Sequence, residues 1–316
     1  MAISYNPPNG ADGFSDLAVK AMSDYAVFTA HNNLAKLQLF SHTFTELNGR
    51  PGETIAVPVY DLSAGGDFDP VTNNYGTNTN ETGGLLVTLN KHYVKSVGIT
   101  DADLAFTGIN WARDTAGALA ERATRDINEY VFKTALAGDS ETSADINSMA
   151  LSAASYLPAL TANFSAYDFA KLYAVTEGAD IPVDKSILVL SPDHFAQILS
   201  LVDYKMVGTG TYIENGVLPG MFGFKGIIAS NFLPTGWEGA VVLDEALGIA
   251  SKYLAPMTAG AYPQAWSATD DNGFTVGFRR YMDLNTGRNN FAIEALYGAK
   301  VLQPKKIIPF LTTIGG

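Results

Sequence analysis

The chain contains no cysteine. Disulfide staples and every thiolate metal site are therefore excluded, and the composition suits folding in a reducing cytoplasm. No apolar run approaches the ~20 residues of a membrane-spanning helix. The opening residues MAISYNPPNGADGF have no basic n-region and no apolar h-region, so they do not read as a secretory signal. The sequons at Asn80 and Asn163 accordingly raise no expectation of glycosylation. Basic charge is scarce too: 20 Lys and Arg stand against 32 Asp and Glu, a formal net charge of −12. A general nucleic-acid binder needs the opposite balance, because its affinity comes from cations that displace counterions.

Catalytic signatures are also missing. The four histidines, His31, His42, His92 and His194, show no H-E-x-x-H or other metal-ligand spacing. There is no G-x-S-x-G elbow for a nucleophilic serine. Acid pairs occur at Asp67/Asp69, Asp101/Asp103 and Asp270/Asp271. The last pair fails the calcium-loop pattern, since Ala268 takes the first ligand position when Gly273 is set as the invariant glycine. Turn and cap roles suit all six better. His194, beside Asp193 on an expected helix, reads as a packing residue.

The stretch ENGVLPGMFGFKGIIASNFLP, residues 214–234, carries four glycines and one lysine. A phosphate loop requires G-x-x-x-x-G-K-[S/T], and Lys225 lies between Phe224 and Gly226 instead. Just before the stretch, Gly208 and Gly210 begin the G-x-G-x-x-G of a dinucleotide fold, but Ile213 stands where the third glycine is required. Phe224 to Asn231 reads as a short strand where a helix is needed. These glycines turn a chain. No catalytic residue, cofactor or metal is expected.

What is present describes a folded protein: 316 residues, 47 % hydrophobic and 16 % charged. Such a length buries roughly three quarters of its unfolded surface, in one large or two modest cores. Charge is unevenly spread. Residues 101–145 hold nine acids and four bases, whereas residues 275–316 hold six bases and two acids. An acidic middle and a basic tail suit pairing within a subunit or between subunits.

Residues 1–13 read as an extended polar arm, and parts of Phe14 to Phe40 have helical spacing at Leu17, Ala21, Tyr25 and Phe28. In GRPGETIAVPVYD, residues 49–61, a turn precedes a strand whose Pro58 confines it to an edge. The next polar island, residues 62–84, has five glycines and four asparagines. It joins that strand to a second, Leu85 to Val97. The result is a long projecting hairpin, which is marginal alone in water and needs a neighbour. Residues 112–138 read as a long strut helix with an apolar stripe of Leu119, Ala123, Ile127, Tyr130 and Val131, stopped at Gly138.

Residues 139–163 read as a linker. From Ser165 the pattern becomes α/β: a helix over 166–177, the strand KSILVLS, and a helix started by Ser191, Pro192 and Asp193. AVVLDE at 240–245, FTVGFRRYMDL and NFAIEALYGAKVLQ read as strands.

In this order the parts resemble the major capsid proteins of tailed double-stranded DNA phages with the Hong Kong 97-type fold. GRPGETIAVPVYD is similar to the family's G-x-x-G-[D/E]-T-[I/V] entry to an extended loop. ILVLSPDHFAQILSL and the glycine-bearing stretch 214–234 resemble its axial domain. NFAIEALYGAKVLQPKKII resembles its closing strand and β tail. The resemblance spans roughly residues 15–310 and implies an α+β chain. Its expected parts are an N-terminal arm (1–49), an extended hairpin loop (50–98) and a peripheral domain (99–150) with spine helix 112–138. An axial domain (151–255) and return strands of the peripheral domain (256–316) complete it.

It further implies hexamers and pentamers in an icosahedral shell around double-stranded DNA, without sequence-specific binding or a membrane. A portal protein is implied, and a separate scaffolding protein is expected because no long helical segment precedes the arm. The expected place is the virion, assembled in the host cytoplasm. The expected loop tip is Gly65, Gly66, Asn73, Asn74 and Gly76, and the axial-domain loop is Gly216, Pro219, Gly220 and Gly223. Inter-subunit pairs are expected between Glu121, Asp126 or Glu129 and Arg279, Arg280 or Arg288. Some relatives crosslink through lysine and asparagine, but no pattern assigns that chemistry to Lys91 or Lys95. A nanocompartment shell of the same fold is the alternative. A β-rich carbohydrate-active hydrolase or binding protein is a second, and it demands a concave site with paired carboxylates.

Overall fold

The computed structural model describes residues 34, 36–44, 54–61, 81–152, 166–201, 217–219, 223–252, 264–269, 274–283, 285–286 and 288–311. In chain order come β1 (Ser41–Phe44), β2 (Thr54–Asp61), β3 (Glu81–Thr88), β4 (Lys91–Thr100) and the helix α1 (Asp101–Tyr130). Then follow α2 (Ser143–Ser148), β5 (Leu151–Ser152), α3 (Ala166–Gly178), β6 (Ser186–Leu190) and α4 (Pro192–Leu201). The rest is β7 (Val217–Pro219), β8 (Gly226–Ala229), β9 (Trp237–Leu243), β10 (Leu247–Lys252) and β11 (Gln264–Thr269). It closes with β12 (Thr275–Asp283), β13 (Arg288–Val301) and β14 (Ile307–Leu311).

The longest strand, β13, organises the first sheet. Its first half pairs with β12 and its last residues with β10 along one edge, while β4 pairs along the other, all antiparallel. β11 extends β12, and β1 runs parallel to β10. Alternation along β13 decides the faces. Phe291, Ile293, Ala295 and Tyr297 enter the main core, whereas Leu296 on the opposite face joins Val87, Leu89, Ala250 and Leu302.

The second sheet has the order β5-β14-β9-β6-β8-β7 and mixes parallel and antiparallel pairs. All five residues of β6 are buried, as expected of a central strand covered on both faces. Ile187 and Val189 look into the main core, while Leu188 and Leu190 look into a second core with Phe169 and Leu172 of α3 and Ile198 of α4.

The helix α1 differs from the expected 112–138. It starts at Asp101, directly after β4, and its 30 residues span roughly 45 Å. Residues 106–111, FTGINW, are poor helix formers, so local pattern hid this start. Asp101 and Asp103 sit in the first turn. Ala116, Leu119, Ala120, Ala123 and Ile127 form the buried stripe. The end is also unlike an α-helix: Val131–Ala135 is a π-helical turn, closed by the Leu136 N–H donating to the Val131 carbonyl at 2.9 Å. Gly138 follows at φ 79°, the left-handed stop that the sequence indicates.

The hairpin is built differently too. The expected second strand, Leu85 to Val97, is two strands broken at Leu89 and Asn90. β3 pairs with β2 from Thr88 opposite Thr54 to Glu81 opposite Asp61, with Pro58 facing Gly84. β4 instead leaves the hairpin to pair with β13. Leu89 marks the break because its side chain is drawn into the small core beneath.

Strand pairing also cuts across the expected division at residue 255. β10 lies in the first sheet, and β14, after the return strands, joins β9 of the second. Residues 139–163 are no plain linker, since α2 and β5 lie within them. The arm before residue 34, the turn 270–273 and the acids Asp67, Asp69, Asp270 and Asp271 lie outside the described residues.

Candidate functional site

The hairpin base, the end of α1 and the end of β13 meet around a cavity of about 300 Å³. Leu86, Thr88, Asn90, Tyr130, Asp139 and Lys300 are among its lining residues. The Tyr130 hydroxyl donates to Asn90 Oδ1 at 3.3 Å, its ring meets Tyr297 edge-on at 5.6 Å, and Lys91 Nζ lies 5.0 Å above it. These contacts brace the hairpin root against the strut.

Lys300 closes the lower side. Its ammonium lies 2.7 Å from Glu141 Oε2 and 3.2 Å from Asp139 Oδ2. Asp139 Oδ1 in turn accepts from the N–H groups of Glu141 and Thr142 and from the Thr142 hydroxyl, which fixes the turn after Gly138. Desolvation pulls the Lys300 pKa down, but the hydrogen bonds and charges of Glu141 and Asp139 outweigh it and leave it raised. Desolvation likewise pushes Asp139 up, and the bonds from Thr142, Lys300 and Glu141 bring it below the usual carboxyl value. An acidic middle and a basic tail thus meet inside one subunit.

Lys300→Met is expected to lower stability by ~1 kcal/mol, since the acids it meets are largely solvated. The sign for Asp139 follows from its lowered folded value. Its contribution is full above the ordinary carboxyl range and fades below about pH 4. Urea denaturation at pH 7 and pH 3.5 checks both: the gap between wild type and variant narrows in acid.

The six expected inter-subunit residues divide. Asp126 pairs with Arg122 at 3.0 Å and Glu129 with Lys133 at 3.6 Å, both one helical turn away. Asp126 also reaches inward: burial, and then its carboxylate, push the Tyr93 phenol up to about 12. Arg279 Nη2 lies 2.6 Å from Glu294 Oε1, and His92 Nε2 lies 3.7 Å from Oε2 of the same buried glutamate. These contacts tie β12, β13 and β4 across one sheet face. Spacing alone did not reveal Glu294 or Lys300, because each meets its partners only once the strands are in register. Glu121 and Arg288 are exposed, with Arg288 opposite Asp283 in the ladder. The Arg280 side chain lies outside the described residues.

Of the glycine stretch, Pro219 ends β7 and Gly223 has φ 88°, where a Cβ would come within 3.0 Å of the Tyr173 ring. Lys225 pairs with Asp244, so its charge is already satisfied by the fold. Gly216 and Gly220 lie outside the described residues, as do the loop-tip positions Gly65, Gly66, Asn73, Asn74 and Gly76.

His194 is fully buried. Its Nδ1 is 2.9 Å from Ser191 Oγ and its Nε2 is 3.4 Å from Glu238 Oε2. The serine, histidine and acid look like a hydrolytic set, but the ring has no exposed face to offer a substrate. The cavity at the hairpin base offers a single carboxylate, Asp139, and its pKa is lowered, whereas a glycosidase acid needs one raised.

Comparison with known proteins decides among these readings. The family model described as phage capsid protein matches residues 81–309. This chain belongs to the phage capsid protein family. The capsid protein of cyanophage P-SCSP1u has the same fold at TM-score 0.52, with 14% identity over 88% of each chain. The mature capsid of bacteriophage PhiM1 follows at TM-score 0.50 and 14% identity, covering 87% of this chain and 86% of that one. A chain of Gordonia phage Cozz gives 0.50 and 13%, covering 89% and 86%. No curated protein matches. The Hong Kong 97-type capsid fold expected from the sequence is therefore present, and the protein is a structural coat protein of a phage virion.

For a capsid protein the braced root acquires a meaning. The hairpin β2–β3 has hydrogen-bonded partners only in each other among the described strands. It leans on the body of the subunit through its root.

Proposed function

We propose that copies of this capsid protein form hexamers and pentamers that close an icosahedral shell around double-stranded DNA. The observation that carries this reading is the hairpin. A two-stranded sheet is marginally stable alone, and Leu86 on it is half exposed. Its stability comes from a neighbouring subunit, in interfaces of the obligate kind that bury about 2,000 Å² or more. In this reading β2 and β3 belong to the extended loop, the first sheet, β4 included, and α1 belong to the peripheral domain, and the second sheet forms most of the axial domain. A scaffolding protein and a portal protein act in assembly, which takes place in the host cytoplasm.

The acidic balance fits a shell filled by a motor, because an acidic lining does not condense the genome. A strongly basic inner surface in the assembled shell would overturn that point. The family match favours a phage shell over a nanocompartment.

The test is sedimentation with negative-stain microscopy across a concentration series, alone and with the neighbouring genes co-expressed. Shells, tubes, or rings of five and six support the reading. A monomer under every condition, co-expression included, overturns it. Within the shell, the exposed pair Glu121 and Arg288 is proposed to meet across subunits. Glu121→Arg or Arg288→Glu alone is expected to reduce assembly several-fold, and the double reversal to restore it. Sedimentation yields without rescue would sink that pairing.

A further inference from the structure

Buried His194 near the start of α4, buried Glu238 of β9 and the half-buried Ser191 between them have a role that packing alone does not demand. Ser191, just past the end of β6, joins β9 to α4: its N–H donates to the Glu238 carbonyl of β9 at 2.9 Å, its carbonyl accepts from Phe195, and its hydroxyl receives the His194 N–H at 3.5 Å. The His194 ring spans the same gap with its two nitrogens, one toward Ser191 and one toward Glu238. A neutral ring suits this geometry. The serine hydroxyl donates to Nδ1, and the Nε2–H faces the carboxylate. A proton on Nδ1 reverses that first bond and leaves the serine hydroxyl hydrogen without its ring acceptor. It also places a full charge on a ring that is fully buried, on the helix whose Ile198 enters the second core.

We propose that Ser191, His194 and Glu238 form a proton-sensitive latch that holds α4 on β9 while His194 is neutral and loosens this lobe in mild acid. Among the described residues, the charged groups acting on the ring are Glu238 from β9 and Asp193 from its own helix. Both favour the imidazolium, but burial outweighs them and the pKa is lowered. The opened lobe therefore binds the proton before the closed one does. Closure is fully stable above the ordinary imidazole range and weakens as pH falls below about 6.5.

The test is amide hydrogen exchange of the full-length protein between pH 7.5 and 5, corrected for intrinsic rates. It follows peptides from 186–201 and 237–243. In the wild type the opening of these segments is expected to rise by up to about tenfold per pH unit once the pH is below 6.5. The variant His194→Gln keeps a neutral donor toward Glu238, so its profile is expected to be flat, with peptides of α1 unchanged in both. An equal pH slope in the variant overturns the latch. Should His194→Gln fail to fold, the wild-type imidazole titration followed by NMR decides. A ring still neutral below the usual imidazole range supports the latch, and one that titrates at or above that range overturns it.

Discussion

Phe132→Ala is expected to destabilise the subunit by about 3–5 kcal/mol, the range for removing a buried aromatic ring. Phe132 is 2% exposed and meets Phe40 edge-on at 5.4 Å, and Phe40 is itself fully buried. The π-helical turn makes this possible. An α-helix continuing from Ile127 through Val131 would direct Ala135 inward and rotate Phe132 toward the side. The extra residue in the Val131–Ala135 turn lets Val131, Phe132, Ala135 and Leu136 all face the core. Phe132 thereby joins the end of the strut to the segment that leads into β1. Phe132→Leu keeps most of the volume and is expected to lose no more than about 1.5 kcal/mol. Urea unfolding of both variants measures the difference. An alanine variant within 1 kcal/mol of wild type would show that the ring is not part of the cooperative core.

The sequence made some of this fold readable and concealed the rest for physical reasons. β6, β8, β12, β13, α3 and α4 were legible because short apolar runs are bounded by turn residues, and because Ser191-Pro192-Asp193 is a helix start in its own right. β10, LGIASK, was not expected, because Gly248, Ala250 and Ser251 carry little of the pattern that marks a strand. It is a strand because β13 and β1 pair with it on either side. The break at Leu89 was hidden for the opposite reason: Leu85 to Val97 runs on with no proline or glycine to mark it, and only β13 draws Lys91–Thr100 away from the hairpin. The candidate site was the least legible. Composition showed an acidic middle and a basic tail, but the partner of each charge depends on register and on turns. Arg279 meets Glu294 of its own tail, and Lys300 meets Asp139 and Glu141 of the middle. Asp126 and Glu129 are taken up by neighbours one turn away, which i,i+4 spacing could have signalled.

Gly298→Val is expected to free the hairpin from the body of the subunit. β3 crosses β13 so closely that a Cβ at residue 298 would strike the Thr88 carbonyl group, a backbone group with no rotamer to yield. Gly298 stands opposite Ala250 in the ladder, and Val87, Leu89, Leu296 and Leu302 pack around that crossing. A branched side chain there forces β3 outward and opens this small core, at a cost of about 1–3 kcal/mol or more. The loss differs in kind from that of Phe132→Ala. The main core of α1 and the first sheet lies on the other face of β13, so the subunit body stays folded while the hairpin loses its root. Limited proteolysis is expected to cut first within residues 54–90 in the variant, with unfolding of the body shifted far less than in Phe132→Ala. Sedimentation is expected to show shell yield falling at least tenfold, because a misdirected hairpin cannot reach its neighbour. Wild-type shell yield with an uncut hairpin would mean that β3 does not depend on β13, and the braced root would then lose its place in assembly.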